Sequence, residues 1–361
     1  MHQSDAAQPG TAERLPAKRS SPPAPPDRHQ AENLATIQAD FPQFRIWRQE
    51  CSGRVRYVAC SREPGQHPHT VVTADVGELR AVLSGETYRA GSPLAGLGLR
   101  RFDPDVAHPA RVYSYWLGSK DNYPADRQAA EEVAARRPQV VASARANRAF
   151  GARVVRFLAG QRGITQFVDI GAGLPAAEAT HQVAQDITPG ARVVYVDSDP
   201  LVLTHARALL TSSPEGRCDY VDADLRDPQA ILQQAARTLD FTRPVAVLLL
   251  AVAHFLADAD DPAGVVAALA AGLAPGSFIA LSHLTADFAP EQVTAGVAAY
   301  NARVPAGITV RSHAQVSALL GGLGLVPPGV VPVTEWRPGH AGWPGHGADL
   351  YAGVAIVRRP R

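Results

Sequence analysis

The chain has 361 residues, of which 46% are hydrophobic, and its 35 basic and 34 acidic side chains leave a formal net charge of +1. So even a balance removes any bulk electrostatic argument for nucleic acid or an anionic membrane surface, and neither is expected as a partner. Three cysteines, Cys51, Cys60 and Cys218, have neither the number nor the spacing of a disulfide framework or a zinc site. No metal is expected, and with no run of about 18 uninterrupted apolar residues to span a bilayer, a cytoplasmic location is expected.

In chain order, residues 1–30 are rich in Pro, Ala, Ser and charge (RLPAKRSSPPAPPDRHQ). They cannot bury enough apolar surface to offset the entropy of ordering, and are read as a disordered tail. Residues 31–88 offer a short helix, the strand-like runs FRIWRQ, RVRYVAC and TVVTAD, and a helix VGELRAVL. Together these make a small α+β unit of unassigned role, with a marginal core at this size, which can serve a protein partner. Trp47 and Tyr57 fit the alternation of a half-buried sheet and are read as core; Cys51 and Cys60 flank the hairpin turn, where they can face each other. A Gly- and Pro-containing linker, 89–102, follows.

From 103 to 361 helical and strand-like segments alternate. Two helices precede strand 164–170, helix 176–187, strand 192–197, helix 200–211, strand 217–222, helix 228–238, strand 244–252, helix 262–272 and strand 276–283. Helices 290–302 and 313–321 come next, and then two apolar runs, GVVPVTEW and LYAGVAIV, that read as an antiparallel hairpin at the sheet edge. Such alternation gives a parallel sheet covered on both faces with right-handed crossovers. The expected fold is a doubly wound, Rossmann-like α/β sheet of seven mostly parallel strands.

The run VDIGAGLP (Val168 to Pro175) ends an apolar strand in acid and two glycines, and VVYVDSDP and DYVDADLRDP end the next two strands in acid as well. Acids at three adjacent carboxyl ends of a parallel sheet describe a nucleoside site. Gly171 and Gly173 let the backbone turn sharply and approach a ligand. Asp169 suits a cationic amino-acid group and would repel a pyrophosphate, and Pro175 removes an N–H that a phosphate would want. Asp197 is suited to accept two ribose hydroxyls, and Asp224 to accept from an adenine amine. These acids favour S-adenosylmethionine over a nicotinamide dinucleotide, with an NAD-dependent oxidoreductase and a ligand-free strand-helix turn as the alternatives.

Five segments in order, RVYSYWLGSKDNYPADR, ARANRAF, QFVDIGAGLP, ARVVYVDSDPLVL and YVDADLRDP, resemble the actinobacterial S-adenosylmethionine-dependent methyltransferase family that carries the domain of unknown function 574. The resemblance runs from about residue 103 to the carboxyl terminus. It implies a class I methyltransferase fold, S-adenosylmethionine as cofactor and a small-molecule methyl acceptor. By position it places Asp169, Gly171 and Gly173 at the methionine end, Asp197 with Ser198 and Asp199 at the ribose, and Asp224 with Leu225 at the adenine. Ser119 stands where the family commonly has a second Gly, and Trp116 where it commonly has Leu; neither departure touches the acids.

The first of these segments is too dense in aromatic and charged residues for a plain surface helix and reads as a lid. Arg111, with Asn147 and Arg148 from the helix leading into the first strand, can meet the cofactor carboxylate. Tyr113, Tyr115 and Tyr123 either line an acceptor pocket or pack the lid down, and Gly118 permits a break between two helices. His254 and His283 follow strands at the carboxyl edge of the sheet. A histidine there, near its working pKa at neutral pH, can take a proton from the acceptor; His254 is the first candidate base and Tyr113 the second. The expected function is O- or N-methylation of a small molecule, and the alternative is a non-catalytic protein that senses S-adenosylmethionine through the same pocket.

Overall fold

The computed structural model describes residues 28–51, 54–62, 70–73, 76–84, 105–120, 122–174, 178–199, 202, 212–338 and 347–358. Residues 1–27 of the expected tail, the linker and most of the 200–211 helix lie outside these residues, whereas residues 28–30, read as the end of that tail, are helical.

The amino-terminal unit comprises α1 (Arg28–Asp40), β1 (Phe44–Cys51), β2 (Arg54–Ser61), β3 (Thr70–Thr73) and α2 (Val76–Leu83), with the strands antiparallel in the order β1-β2-β3. Its core joins Ile37 and Leu79 from the helices to Phe44, Ile46, Tyr57, Ala59 and Val71 from the sheet. Gln38 pins α1 to the sheet, donating to Phe44 O and accepting from Ile46 N, each at 2.8 Å. Tyr57 is buried as expected, but Trp47 is 36% exposed, because the period of two puts it on the face opposite Phe44 and Ile46. The register pairs Cys60 with Arg45 and Cys51 with Arg54, so the two cysteines sit at opposite ends of the hairpin and do not face each other.

In the larger unit three helices, not two, precede the first strand: α3 (Pro109–Trp116), α4 (Pro124–Arg136) and α5 (Val140–Arg162). Gly118, at φ +87°, follows the first, and Pro138, which cannot continue a helix, separates the other two. Then come β4 (Gln166–Ile170), α6 (Thr180–Ile187), β5 (Arg192–Asp197), β6 (Arg217–Asp222), α7 (Pro228–Ala235) and β7 (Ala246–Leu250). The chain closes with α8 (Pro262–Ala271), β8 (Phe278–Leu284), α9 (Pro290–Asn301), α10 (His313–Leu319), β9 (Gly324–Leu325), β10 (Val331–Pro332) and β11 (Leu350–Ile356).

The strand order is β10-β11-β8-β7-β4-β5-β6, with β9 also paired to β11. Strands β4 to β8 are parallel, and β11 runs antiparallel between β8 and β10. The last strand is therefore interior, the expected edge partner GVVPVTEW pairs with it only through β10, and a further short piece, β9, pairs with it before Pro327 and Pro328, giving an eight-stranded sheet. A proline there interrupts the ladder, which is tolerated at an edge.

Strand alternation builds a core on each face. Val168, Ile170, Val194, Val196, Val247, Leu249, Ile279 and Leu281 pack on one side, and Phe167, Val193, Tyr195, Leu248, Phe278 and Val354 pack with α5 on the other. Each fully buried large side chain contributes about 1.5–3 kcal/mol, so the register of the sheet is fixed. The chain turns outward from β4 to β5 and β6, then returns to lay β7 on the other side of β4. This reversal opens a crevice at the carboxyl ends of β4 and β7, the usual ligand position in such sheets.

Candidate active site

Alternation also aims the acids. Asp169 shares the Phe167 face of β4, and Asp197 extends the Val193 and Tyr195 face of β5, so both carboxylates point to the side covered by α5 and α6. Asp169 Oδ2 accepts from Thr180 Oγ1 at 2.7 Å at the start of α6, and Oδ1 has no partner among the described residues. Burial raises its pKa, against the Thr180 hydrogen bond and the nearby Arg148 charge. Asp197 accepts from Asp199 N and Gly173 N, both at 2.9 Å. Burial, with the like charge of Asp199, pushes its pKa up to about 6 despite those amides.

The turn between them depends on its glycines. Gly171 has φ +73° and donates to Val196 O at 2.8 Å, and a Cβ on it would lie 2.7 Å from Val252 Cβ. Gly173 has φ +64°, and a Cβ on it would meet nothing within 4 Å. One glycine is thus required by the β7 turn behind it, whereas the other faces open space.

A cavity of about 510 Å3 joins this turn to Asp169, Asp197, Ser198, Asp224 and Leu225 and continues beneath α3 to Tyr113, His254 and Tyr300. That volume lies within the range of ligand sites. The residues fit the sulfonium cofactor expected from the sequence. Asp169 offers an open carboxylate oxygen, Asp197 retains lone pairs beside its two amide donors, and Gly173 leaves open a space that a side chain would enter. Asp224, whose Oδ1 accepts Arg226 N at 2.9 Å, sits half-exposed above buried Leu225. Asn147 and Arg148 also line the cavity.

Two residues read from sequence as cofactor contacts are placed elsewhere. Arg111 is buried beneath the lid, with Nε donating to Asp126 Oδ2 at 2.8 Å and a terminal amino group donating to Val106 O at 2.6 Å, and it does not line the cavity. Asp199 is drawn to the same cluster, with Oδ2 2.9 Å from His108 Nδ1 and 3.9 Å from the Arg111 guanidinium. Asp126 is the hub, also accepting from the backbone amides of His108 at 2.9 Å and Tyr123 at 2.8 Å. Sequence spacing did not reveal that an acid in the next helix would claim the arginine.

Of the three lid tyrosines only Tyr113 lines the cavity. Tyr115 donates to Glu131 on the surface, and the Tyr123 ring lies under Arg111 at 5.5 Å. The Tyr113 hydroxyl donates to Ala144 O and accepts from Asn147 Nδ2, each at 3.0 Å. Asn147 Oδ1 accepts from Ser282 Oγ at 2.5 Å, and Ser282 Oγ accepts from Ala251 N at 2.9 Å. Ala251 holds φ +54° in the turn after β7, a costly backbone state for a non-glycine residue that persists where neighbours enforce it.

Neither histidine behaves as expected of a base poised near neutrality. His254 is buried with Nδ1 unpartnered, and burial, reinforced by His283, Arg137 and Arg311, holds its pKa well below the ordinary value. His283 lies outside the cavity wall, with Nδ1 2.7 Å from Leu284 O and Nε2 3.0 Å from the Arg311 guanidinium. Burial lowers its pKa to about 4, so it is a neutral structural residue. The cavity wall also contains Thr180, Arg137 and Tyr300, with Ser282 behind it on Asn147, and sequence reasoning missed all four. Thr180 and Ser282 carried no motif, and Arg137 and Tyr300 read as ordinary helix residues.

Among the described residues no group of three metal-ligating side chains occurs, and no helix is long and apolar enough to cross a membrane. Residues 97–358 match the family model described as S-adenosyl methyltransferase. The chain is 44% identical to a DUF574 family protein from Streptomyces avermitilis, with a TM-score of 0.68 over 70% of this chain and 98% of that one. It is 37% identical to a protein from Thermobifida fusca provisionally assigned as a methyltransferase, with a TM-score of 0.65 over 74% of this chain and 100% of that one. No curated protein matches.

Proposed function

Given that the chain belongs to the S-adenosyl methyltransferase family, we propose that it is an active enzyme that methylates oxygen or nitrogen of a small molecule. The observation that carries this reading is the continuity of the cavity, which runs from the acidic strand ends to a second chamber beneath the lid and α9. A protein that only sensed the cofactor would need no such chamber.

When bound, S-adenosylmethionine supplies an electrophilic methyl group on a cationic sulfur. In this reading Asp169 holds the ammonium, Asp197 the ribose hydroxyls and Asp224 the adenine amine, with the Gly171 turn giving close backbone approach. In-line displacement needs little more than alignment in a dry pocket. Tyr113, Asn147 and Ser282 would supply that alignment by fixing the lid to β8, while the apolar walls exclude water. His254, kept neutral by its surroundings, can receive a hydrogen bond or a proton without carrying charge beforehand.

Isothermal titration with S-adenosylmethionine, S-adenosylhomocysteine and NAD, repeated on Asp197→Ala, tests the reading. Binding of the first two, lost in the variant, is the expected result. Binding of NAD alone, or of none, would overturn it.

A further inference from the structure

Beyond the glycine turn the cavity ends in a chamber whose polar groups the cofactor acids do not explain. Arg137, just past α4, is buried; its Nε donates to Asp349 Oδ2 at 2.8 Å and one terminal amino group to Ser143 Oγ at 3.1 Å. Its other amino group has no partner among the described residues, and the side chain lines the cavity. Gly296 on α9 makes room for it, since a Cβ there would lie 2.9 Å from Arg137 Cβ.

One turn along α9, Tyr300 is 2% exposed, and its hydroxyl lacks a partner. His254, across the chamber after β7, is 7% exposed with Nδ1 unpartnered. The remaining wall is apolar, formed in part by Val133, Phe255, Val297 and Ile308. Buried polar groups are normally satisfied. The Tyr300 hydroxyl and His254 Nδ1, facing the same chamber as the open Arg137 amino group, therefore point to a ligand that completes them.

Charge narrows the class. Asp349, fully enclosed, offsets Arg137, but the partner of buried Arg311 is Asp258, which is 79% exposed to water. The charged neighbours that act on His254 are cationic. Asp126 acts on Tyr300 but does not line the cavity, so a cationic acceptor would find no open carboxylate in this chamber, and an uncharged hydrocarbon would leave all three groups unpaired.

Resting on the methyltransferase reading, we propose that this chamber is the acceptor subsite and takes a small aromatic acid. The ligand is a planar ring bearing a carboxylate or an acidic phenol, with its oxyanion against the open Arg137 amino group and the Tyr300 hydroxyl. The ring packs on Phe255 and Val297, and His254 Nδ1 meets a second polar atom of the ligand.

The test is isothermal titration of the full chain, first with S-adenosylhomocysteine and then, on the loaded protein at about pH 8, with benzoate, 4-nitrophenolate and benzamide. At least one anion should bind about tenfold or more tighter than the neutral amide, and which anion wins separates carboxylate from phenol. Arg137→Gln should abolish the preference. Because that change strips buried Asp349 of its partner, Tyr300→Phe is the parallel variant, and it should weaken the anion about threefold or more with S-adenosylhomocysteine affinity unchanged. Equal binding of benzamide and both anions, or an unchanged preference in Tyr300→Phe, overturns the proposal while leaving the methyltransferase reading intact. Failure of S-adenosylhomocysteine to bind the unaltered protein overturns both.

Discussion

Arg111 Nε donates to Asp126 Oδ2 at 2.8 Å with both side chains buried, so the two lid helices, α3 and α4, are joined by an ion pair shielded from water. Removing one member leaves the other charge buried without its close partner, which costs about 3–5 kcal/mol. Asp126→Ala loses more than the pair, because its carboxylate also caps α4 through Tyr123 N and holds His108 N. Chemical denaturation should show a loss of that size, with a smaller loss in an Arg111→Met and Asp126→Leu double variant, where no charge is stranded. Equal losses in the single and double variants would contradict the account.

Gly171 and Gly173 separate two reasons for a glycine. Both have positive φ, which costs about 1–2 kcal/mol for another residue, but only a Cβ on Gly171 collides, with Val252 behind it. Overpacking adds about 1–3 kcal/mol. Gly171→Ala should therefore destabilise by about 2–5 kcal/mol and Gly173→Ala by about 1–2 kcal/mol. Adding Val252→Ala should recover part of the first loss and none of the second, which a double-mutant cycle read by urea unfolding would reveal.

The raised pKa of Asp197, about 6, makes a pH prediction. A carboxyl raised on folding adds stability that is present in full below its unfolded value and is lost as pH rises through about 6. Ribose hydroxyls donate to the ionised form, so cofactor binding must expel the proton. Affinity should be flat above about pH 6 and fall by up to about tenfold per unit below it, with Asp169, also raised by burial, acting in the same direction. Titrations at pH 5 to 8 in two buffers of different ionisation enthalpy would show proton release on binding. A pH-independent affinity, or the same slope in Asp197→Asn, would sink the assignment.

Local sequence carried much of this architecture. The alternation of apolar runs with helices, the acids at the ends of β4, β5 and β6 and the break at Gly118 depend on period, turn chemistry and burial, all of which act over a few residues. What the sequence could not show depends on contacts between distant segments. Sequence aims Arg111 at a ligand because nothing in its own helix competes for it, whereas Asp126 reaches it only once α3 and α4 fold together. A position at a strand end suggests a His254 near its ordinary pKa, but burial by tertiary packing, reinforced by His283, Arg137 and Arg311, holds that pKa well below the ordinary value. Trp47 reads as core from sequence because alternation fixes which residues share a face but not which face is covered.

The network from Tyr113 through Asn147 and Ser282 to Ala251 N distinguishes a positioning role from proton transfer. The Tyr113 hydroxyl already donates to Ala144 O, and burial raises its pKa, so at neutral pH it has little tendency to ionise. A general base contributes about 10²–10⁴-fold to the rate, whereas one neutral hydrogen bond is worth about 0.5–1.5 kcal/mol, about tenfold at most. Tyr113→Phe should therefore reduce kcat by about tenfold or less, raise KM for the acceptor, and leave the alkaline limb of the pH-rate profile where it was. His254→Ala, if the imidazole receives the proton, should instead lower kcat by about 10²-fold or more at unchanged S-adenosylhomocysteine affinity. Tyr113→Phe with the larger loss and a displaced alkaline limb would transfer the proton-accepting role to the phenol.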